Sequence, residues 1–241
     1  MKNHPDRLHL GCGLTTPPGW LNVDGSWNAR LAKMPRLRSL LCKLRIIPAA
    51  NAEIPLDPNI FIHDLTRRLP FPDNSFGAVY ASHVLEHLYL EHAKKMLREC
   101  LRVLRPGSPA RMVVPDLRPI VLEYLGQFSF GADRAYGYIK PEFKRTRPKA
   151  DVLNTRLLLR DESAPKGSVV FRAYQLLKNL RLHKWMYDAE SLVWHMRDVG
   201  FAEVEARPLH QSRIPGIEEV EQPIRVENGV GVCVEGVKPR S

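Results

Sequence analysis

The chain has 241 residues, a hydrophobic content of 44% and a formal net charge of +10. This composition can build the core of one domain, and the four scattered cysteines indicate neither a disulfide framework nor a zinc knuckle. The basic surplus favours an acidic partner, although a general surface bias gives the same charge. The polar start and the lack of a bilayer-length apolar run predict a cytoplasmic protein without a signal peptide.

The first predicted strand, around Leu8 to Leu10, ends in the glycine turn Gly11-Cys12-Gly13. Glycine leaves the backbone free where a side chain would obstruct a ligand. Ligands of open α/β sheets bind at the carboxyl ends of strands. Gly11, Cys12 and Gly13 are therefore candidate cofactor-binding residues, although a two-glycine turn is also common as a plain turn.

A second predicted strand, Leu21 to Asp24, follows after only a short segment. An Asp at such a strand end is suited to bind ribose hydroxyls. The connection is shorter than the helical crossover that normally joins parallel strands, and it contains Pro17 and Pro18. Either the first crossover is reduced to a loop, or Asp24 is a turn-forming residue before Gly25.

Residues 28–50 differ in charge from the preceding segment, because they contain several basic residues and no acidic one. Leucines recur here at helical spacing and predict an amphipathic helix after Pro35: Leu37, Leu40, Leu41 and Leu44. Such a basic helix suits an acidic partner or a peripheral membrane contact. The alternative is a helix packed on the domain by its leucines, with a solvated basic face.

The rest of the chain alternates strand and helix patterns, which favours a mostly parallel sheet. Strands are predicted at 60–64, 76–80, 110–114, 201–209 and 230–237, and helices at 91–104, 120–128 and 188–199. We expect a doubly wound, Rossmann-like α/β fold of seven strands that ends in an antiparallel pair. The domain prediction is one unit over 1–241, with a basic helical insertion at about 28–50 and a cap at about 127–182, in which 152–159 is a helix candidate.

Four segments, taken in order, identify a family resemblance: Leu8–Gly13, Asp64–Leu65, Leu69–Phe76 with Ser82–His87, and Arg102–Gly107. Together they resemble the class I S-adenosylmethionine-dependent methyltransferases, in the type 11 group. Two departures are visible. The usual third glycine is missing after Gly13, and the usual Pro-Gly-Gly turn is Pro106-Gly107-Ser108.

The resemblance implies S-adenosyl-L-methionine as cofactor and in-line displacement of its methyl group toward an unidentified acceptor. It places Asp24 at the ribose, Asp64 and Leu65 at the adenine, and Ser82 and His83 at the cleft. A glycan or another hydroxyl-bearing molecule is the expected kind of acceptor. A hydroxyl nucleophile needs a general base, and His83 and His183 are the candidate catalytic residues.

His83, Glu86 and His87 lie at i, i+3 and i+4, so they share one face if this turn is helical. Two histidines and a carboxylate suit a divalent metal. The pattern resembles the Glu-x-x-Glu-His site of small-RNA 2′-O-methyltransferases, whose further histidine lies in a stretch similar to His183-Lys184-Trp185. The competing interpretation is structural, with Glu86 and His87 tying the helix to the sheet.

Three functional alternatives stay open. The first is a metal-assisted RNA 2′-O-methyltransferase, although nucleic acid is not the favoured partner. The second is a degenerate methyltransferase fold that serves as a basic binding module. The third, a nicotinamide-dependent oxidoreductase, is disfavoured because the third glycine and the pyrophosphate-facing helix are absent. The sequence leaves the acceptor, the methylated atom and the oligomeric state undetermined.

Overall fold

The computed structural model describes residues 5–44, 57–129, 148–158, 182–227 and 230–240. The strands are β1 (Arg7–Leu10), β2 (Trp20–Asp24), β3 (Phe61–Ile62), β4 (Ala78–Ser82), β5 (Pro109–Pro115), β6 (Ala202–Ala206) and β7 (Gly231–Val237). The α-helices are α1 (Trp27–Ala32), α2 (Pro35–Lys43), α3 (Leu90–Val103), α4 (Leu117–Leu125), α5 (Lys149–Leu158) and α6 (Ala189–Asp198).

These strands form one seven-stranded sheet in the order β3-β2-β1-β4-β5-β7-β6. The first five strands pair in parallel, whereas β7 is antiparallel to both of its neighbours. The predicted α/β class and the C-terminal antiparallel pair are thus confirmed. The strand order reverses between β1 and β4, and such a switch point is where open α/β sheets bind ligands.

The first crossover is a loop. Residues Leu8 and Leu21 are partners in the parallel pair of β1 and β2, and no helix lies between these strands. The amides of Gly11 and Cys12 both donate to the carbonyl of Val23, at 2.8 and 3.1 Å. These bonds fold the connection back onto β2. Of the two sequence-based alternatives, the shortened crossover is therefore the one observed.

The sheet separates two hydrophobic cores. One face packs against α3 and α6, and its members include Leu8, Leu10, Val79, Met112, Met96, Leu97, Cys100 and Met196. The other face is covered by the segment between β6 and β7, with Trp20, Tyr80, Val113, Ile214, Ile217, Val220 and Cys233. Because successive strand residues point to opposite faces, β4 and β5 contribute to both cores.

Helix boundaries follow capping side chains. Asp188 accepts from the Ser191 amide at 2.8 Å and begins α6, and Gly200 follows its end at φ 108°, as predicted. The predicted 120–128 helix is displaced: Asp116 caps α4, and left-handed Gly126 ends it. The predicted third strand is shorter than expected, since only Phe61–Ile62 pairs with β2.

The basic segment contains α1 and α2 up to residue 44, and its residues 45–50 lie outside the described residues. Pro35 occupies the first turn of α2, where its missing N–H costs no hydrogen bond. Leu37, Leu40 and Leu44 are 40%, 51% and 59% exposed. No residue of α2 is buried. Among the described residues this helix therefore buries none of its leucines fully, and the choice between its two interpretations stays a prediction.

Within the predicted cap, α5 packs on α4, and Arg156 Nε lies 2.6 Å from Glu123 Oε2. Residues 130–147 and 159–181 of that cap lie outside the described residues. The division into one domain with two insertions stays a prediction. None of the helices described combines the length and the apolar character needed to cross a membrane.

A buried ionic cluster lies in the second core. Arg111, on β5, and the carboxylates of Glu221 and Glu235 are all 0% exposed. Arg111 Nε and Nη2 donate to Glu221 Oε1 and Oε2 at 2.7 and 2.9 Å. The same guanidinium donates to the carbonyls of Pro208 and Gln211, at 2.8 and 3.1 Å. The cluster ties β5 to the segment that covers this face.

His9 is 2% exposed between Trp20 and Tyr80, and burial lowers its pKa from 6.5 to about 4. His9 therefore becomes protonated near pH 6.5 in the unfolded chain but only near pH 4 in the folded chain. As a result, the free energy of unfolding decreases as the pH falls from 7 toward 4. The full pKa difference corresponds to about 3 kcal/mol. We expect His9→Gln, which does not titrate, to lose less stability than the wild type in urea unfolding between pH 7.5 and 4. Parallel pH dependence of the two proteins would contradict this assignment.

Candidate cofactor and acceptor site

The two glycines of the turn after β1 have different surroundings. Both have positive φ, 68° at Gly11 and 54° at Gly13. A Cβ at Gly11 would collide with the side chain of Val84, whereas a Cβ at Gly13 would meet no atom within 4 Å. Gly11 thus permits close packing against the segment after β4, and Gly13 borders open space at the switch point. The second arrangement is the one that suits a ligand.

Cys12, between them, is 4% exposed and packs with Ala29 and Ile60. Burial raises the pKa of its thiol to about 12, so the thiol is neutral at physiological pH. Its side chain belongs to a small apolar cluster, so its backbone is the part left for a cofactor contact.

Asp24 ends β2 and closes the glycine turn. Its Oδ2 accepts from the Gly13 amide at 2.9 Å, and its Oδ1 accepts from the Ser26 amide at 2.6 Å. Each carboxylate oxygen has two lone pairs, so both retain capacity for a ribose hydroxyl. The turn-forming role and the ribose-binding role predicted for this residue are therefore compatible.

Asp64 follows β3, and its Oδ1 accepts from the Thr66 amide and hydroxyl at 3.0 and 2.8 Å. Partial burial would raise the pKa of this carboxyl, but the Thr66 hydrogen bonds outweigh it and hold the pKa below its usual value. The His63 amide donates to the Asp24 carbonyl, at 3.3 Å, which places Asp64 at the same sheet edge as Asp24. Leu65 packs against the hydrophobic core between the sheet and helices α3 and α6.

Ser82 ends β4, and His83 follows it at φ 55°, a left-handed conformation that is uncommon outside glycine. The His83 amide donates to the Val113 carbonyl at 2.8 Å. Its Nε2 lies 3.1 Å from the Arg225 carbonyl and must donate to it, while Nδ1 lies 3.3 Å from Glu86 Oε1. Nε2 is thus engaged by the carbonyl, whereas Nδ1 faces the Glu86 carboxylate without hydrogen-bond geometry.

The residues Leu85–His87 form a short 3₁₀ turn, and His83 precedes it. These residues therefore do not share an α-helical face, but His83 Nδ1 and His87 Nε2 still lie 3.3 and 3.8 Å from Glu86 Oε1. His183, almost a hundred residues away in sequence, brings its ring to 5.2 Å from that of His87. Glu86, His87 and His183 offer ligand atoms that all lie within 4.8 Å of one another.

Lys184 holds this cluster together and was not singled out by the sequence. Its amide donates to the Glu86 carbonyl at 2.7 Å, and its Nζ donates to the His87 carbonyl at 2.6 Å. Burial lowers the pKa of His183 to about 4, so this imidazole is neutral at physiological pH. Burial would raise the pKa of Glu86, but the neighbouring His83 and His87 outweigh it and lower that pKa.

A glycine turn, two strand-end carboxylates and a histidine-bearing segment thus meet at the switch point of a Rossmann-like sheet. In open α/β sheets this is the place where a nucleoside-like cofactor binds. The sequence model of a family described as "Methyltransferase domain" matches residues 41–111. This match spans less than a third of the chain. It agrees with the sequence resemblance to the class I S-adenosylmethionine-dependent methyltransferases, which use S-adenosyl-L-methionine as cofactor.

Solved structures of methyltransferases show loose similarity. A chain of the complex between the Haloferax volcanii Trm112 methyltransferase activator and a methyltransferase has 15% identity and a TM-score of 0.44, covering 99% of this chain and 85% of that one. A SAM-dependent methyltransferase of Thermotoga maritima has 18% identity and a TM-score of 0.42, covering 98% and 83%. Phosphoethanolamine N-methyltransferase 2 of Haemonchus contortus, in complex with S-adenosyl-L-methionine, has 13% identity and a TM-score of 0.44, covering 99% and 50%. No curated protein matches the sequence significantly.

The residues present fit this cofactor. S-adenosylmethionine carries no phosphate, so its site needs no long helix with a free N-terminus after the glycine turn. The open space beside Gly13 and the spare lone pairs of Asp24 suit a nucleoside with a free ribose diol. Contacts of the individual residues with the cofactor stay predictions.

Proposed function

We propose that the chain transfers the methyl group of S-adenosyl-L-methionine to a hydroxyl-bearing acceptor, such as a glycan. The observation that carries the proposal is the shared sheet edge, where Gly13 and Asp24 lie on one side of the switch point and His83 on the other. Bound S-adenosylmethionine supplies an electrophilic methyl group on its sulfonium. The protein then has to orient the nucleophile in line with that group and exclude water.

His183 is the better placed general base for a hydroxyl acceptor. Its pKa of about 4 keeps it neutral, and its Nδ1 has no hydrogen-bond partner among the described residues. His83, in contrast, donates from Nε2 to the Arg225 carbonyl, and its Nδ1 lies 3.3 Å from the Glu86 carboxylate. We assign His83 the task of positioning this segment. His183 accepts the proton in the metal-free protein only, because an imidazole nitrogen bound to a metal has no free lone pair.

The helix α2 supports an anionic acceptor or surface. It carries Arg36, Arg38 and Lys43 beside the exposed leucines, and the described residues leave these leucines uncovered. A basic amphipathic helix of this kind attracts acidic glycans, anionic lipid or nucleic acid in a salt-dependent manner. A non-catalytic basic binding module would keep this surface without needing the cofactor site.

Calorimetric titration with S-adenosylmethionine tests the cofactor half of the proposal. We expect Asp24→Asn to weaken cofactor binding about 10- to 100-fold. The asparagine NH₂ group cannot accept from either the Gly13 or the Ser26 amide, and one hydrogen-bond acceptor for the ribose is lost. Asp64→Asn should weaken it less than about tenfold, since Asp64 is more exposed. Asp198→Asn, which removes an exposed pair with Lys94, is the control and should bind as the wild type does.

A radiolabelled methyl-transfer screen over glycans, small RNA, lipid extracts and small metabolites tests the acceptor half. Transfer to a glycan supports the proposal, and transfer only to RNA or only to lipid contradicts the favoured acceptor class. Replacing Arg36, Arg38 and Lys43 with Glu should weaken transfer in a salt-sensitive way without changing cofactor affinity. Normal cofactor binding without transfer to any acceptor would favour the binding module.

A further inference from the structure

Glu86, His87 and His183 form a cluster whose chemistry the cofactor site does not use. Glu86 and His183 are buried, His87 is partly exposed, and their ligand atoms lie within 4.8 Å of one another. We propose that this cluster binds one divalent transition-metal ion through a carboxylate oxygen and two imidazole nitrogens. The inference goes beyond methyl transfer and holds whichever acceptor is used.

The strongest support is the state of the Glu86 carboxylate. It is 0% exposed, and neither oxygen accepts a hydrogen bond in the described part of the chain. His83 Nδ1 and His87 Nε2 approach Oε1 at 3.3 and 3.8 Å, but without hydrogen-bond geometry. A buried carboxylate needs a partner, because an uncompensated one costs several kcal/mol. A bound cation supplies that partner.

The two histidines show the same pattern. His87 Nδ1 and His183 Nδ1 are buried without a hydrogen-bond partner among the described residues. A structural histidine normally satisfies such a nitrogen with a protein or water partner. Three potential ligands that all retain unused lone pairs, next to one another, are better explained by a metal ion than by three separate unsatisfied groups.

Backbone hydrogen bonds keep the ligands in place before any metal binds. The amides of Lys184 and Trp185 both donate to the Glu86 carbonyl, at 2.7 and 3.3 Å, and the His183 amide donates to the Leu158 carbonyl at 3.3 Å. The Lys184 ammonium is bound to the His87 carbonyl. The segments that carry the three ligands are thus joined by main-chain contacts, and the side chains need only small rotations.

The donor set favours Zn²⁺, Co²⁺, Fe²⁺ or Mn²⁺ over Ca²⁺ and Mg²⁺, which prefer all-oxygen sites. In a tetrahedral site with metal–ligand bonds of about 2.1 Å, the ligand atoms lie about 3.4 Å apart. The ligand atoms here lie within 4.8 Å of one another, so each side chain has to move only a short distance to bind the metal. Three protein ligands leave at least one coordination position open. On the partly exposed His87 side, that position is accessible to water or to an oxygen of an acceptor.

Titration of the tag-free, metal-stripped full chain with Co²⁺ tests the site without any cofactor present. We expect one Co²⁺ per chain, visible absorption typical of nitrogen coordination in a four- or five-coordinate site, and displacement by Zn²⁺. Glu86→Gln, His87→Ala and His183→Ala should each weaken binding by more than about 100-fold. His87→Ala is the variant least prone to misfold, because His87 is the least buried ligand.

His195→Ala is the matched control. His195 is 8% exposed and its Nδ1 also lacks a hydrogen-bond partner among the described residues, but it lies outside the cluster. This variant should bind Co²⁺ as the wild type does. Absence of saturable binding to the wild type would overturn the proposal. So would binding that persists in folded ligand variants or shows only octahedral, water-like spectra.

Discussion

Replacing Gly13 with valine is expected to weaken S-adenosylmethionine binding by more than about 100-fold, equivalent to about 3 kcal/mol, in calorimetric titration. A Cβ at Gly13 meets no protein atom within 4 Å, so the new side chain enters the open space at the switch point. The left-handed φ of 54° adds strain of about 1–2 kcal/mol to the folded chain. The loss of binding free energy should be larger than this strain energy, because the valine side chain occupies space that the cofactor needs.

Valine variants of two other glycines distinguish the effect of backbone strain from obstruction of the cofactor site. Gly107 has φ 78° in the turn before β5, and its Cβ would meet only the flexible side chain of Arg240, so Gly107→Val carries the strain without touching the site. It should bind the cofactor normally. Gly11→Val should lose folded stability first, because its side chain would collide with Val84. Unchanged cofactor affinity in a folded Gly13→Val protein would place the cofactor elsewhere.

The second large effect is expected at Arg111. Arg111→Met removes the cation that pairs with the buried Glu221 carboxylate at 2.7 Å, and Glu235 keeps Arg207 at 3.7 Å. Removal of one partner of a buried ion pair costs about 3–5 kcal/mol. Glu221 retains only its contacts with the His210 amide and the Cys233 thiol. We expect the urea midpoint to fall sharply, or the variant to be unfolded at 25 °C.

Arg105→Met is the matched control for this prediction. Arg105 forms an ion pair with Asp6 in which the two side chains are 48% and 58% exposed. Exposed pairs contribute about 1 kcal/mol or less, so the same substitution should be nearly neutral. Equal stability of the two variants would show that the Arg111 cluster does not hold β5 to the segment over the second core.

Much of the site's framework follows from local sequence signals. The glycine turn, the strand-end acids and the capped helix α6 depend on residues close in the chain, so spacing and turn chemistry suffice to predict them. The first crossover was ambiguous because its length is too short for the helix that normally joins parallel strands. Pairing of β1 with β2 decided it, since only the sheet shows that the chain returns in parallel without a helix.

The sequence by itself determined the order of strands and helices and the family resemblance. These depend on hydrophobic period, caps and short motifs. Only the tertiary structure decided which distant polar groups meet: Arg111 with Glu221, and His183 with Glu86 and His87. Arg111 lies in an apolar strand, and no nearby residue in the sequence indicates its ion-pair partners. His183 contacts the Glu86 cluster although almost a hundred residues separate the two in the chain. Burial and long-range packing select those contacts, and neither leaves a periodic signal in the chain.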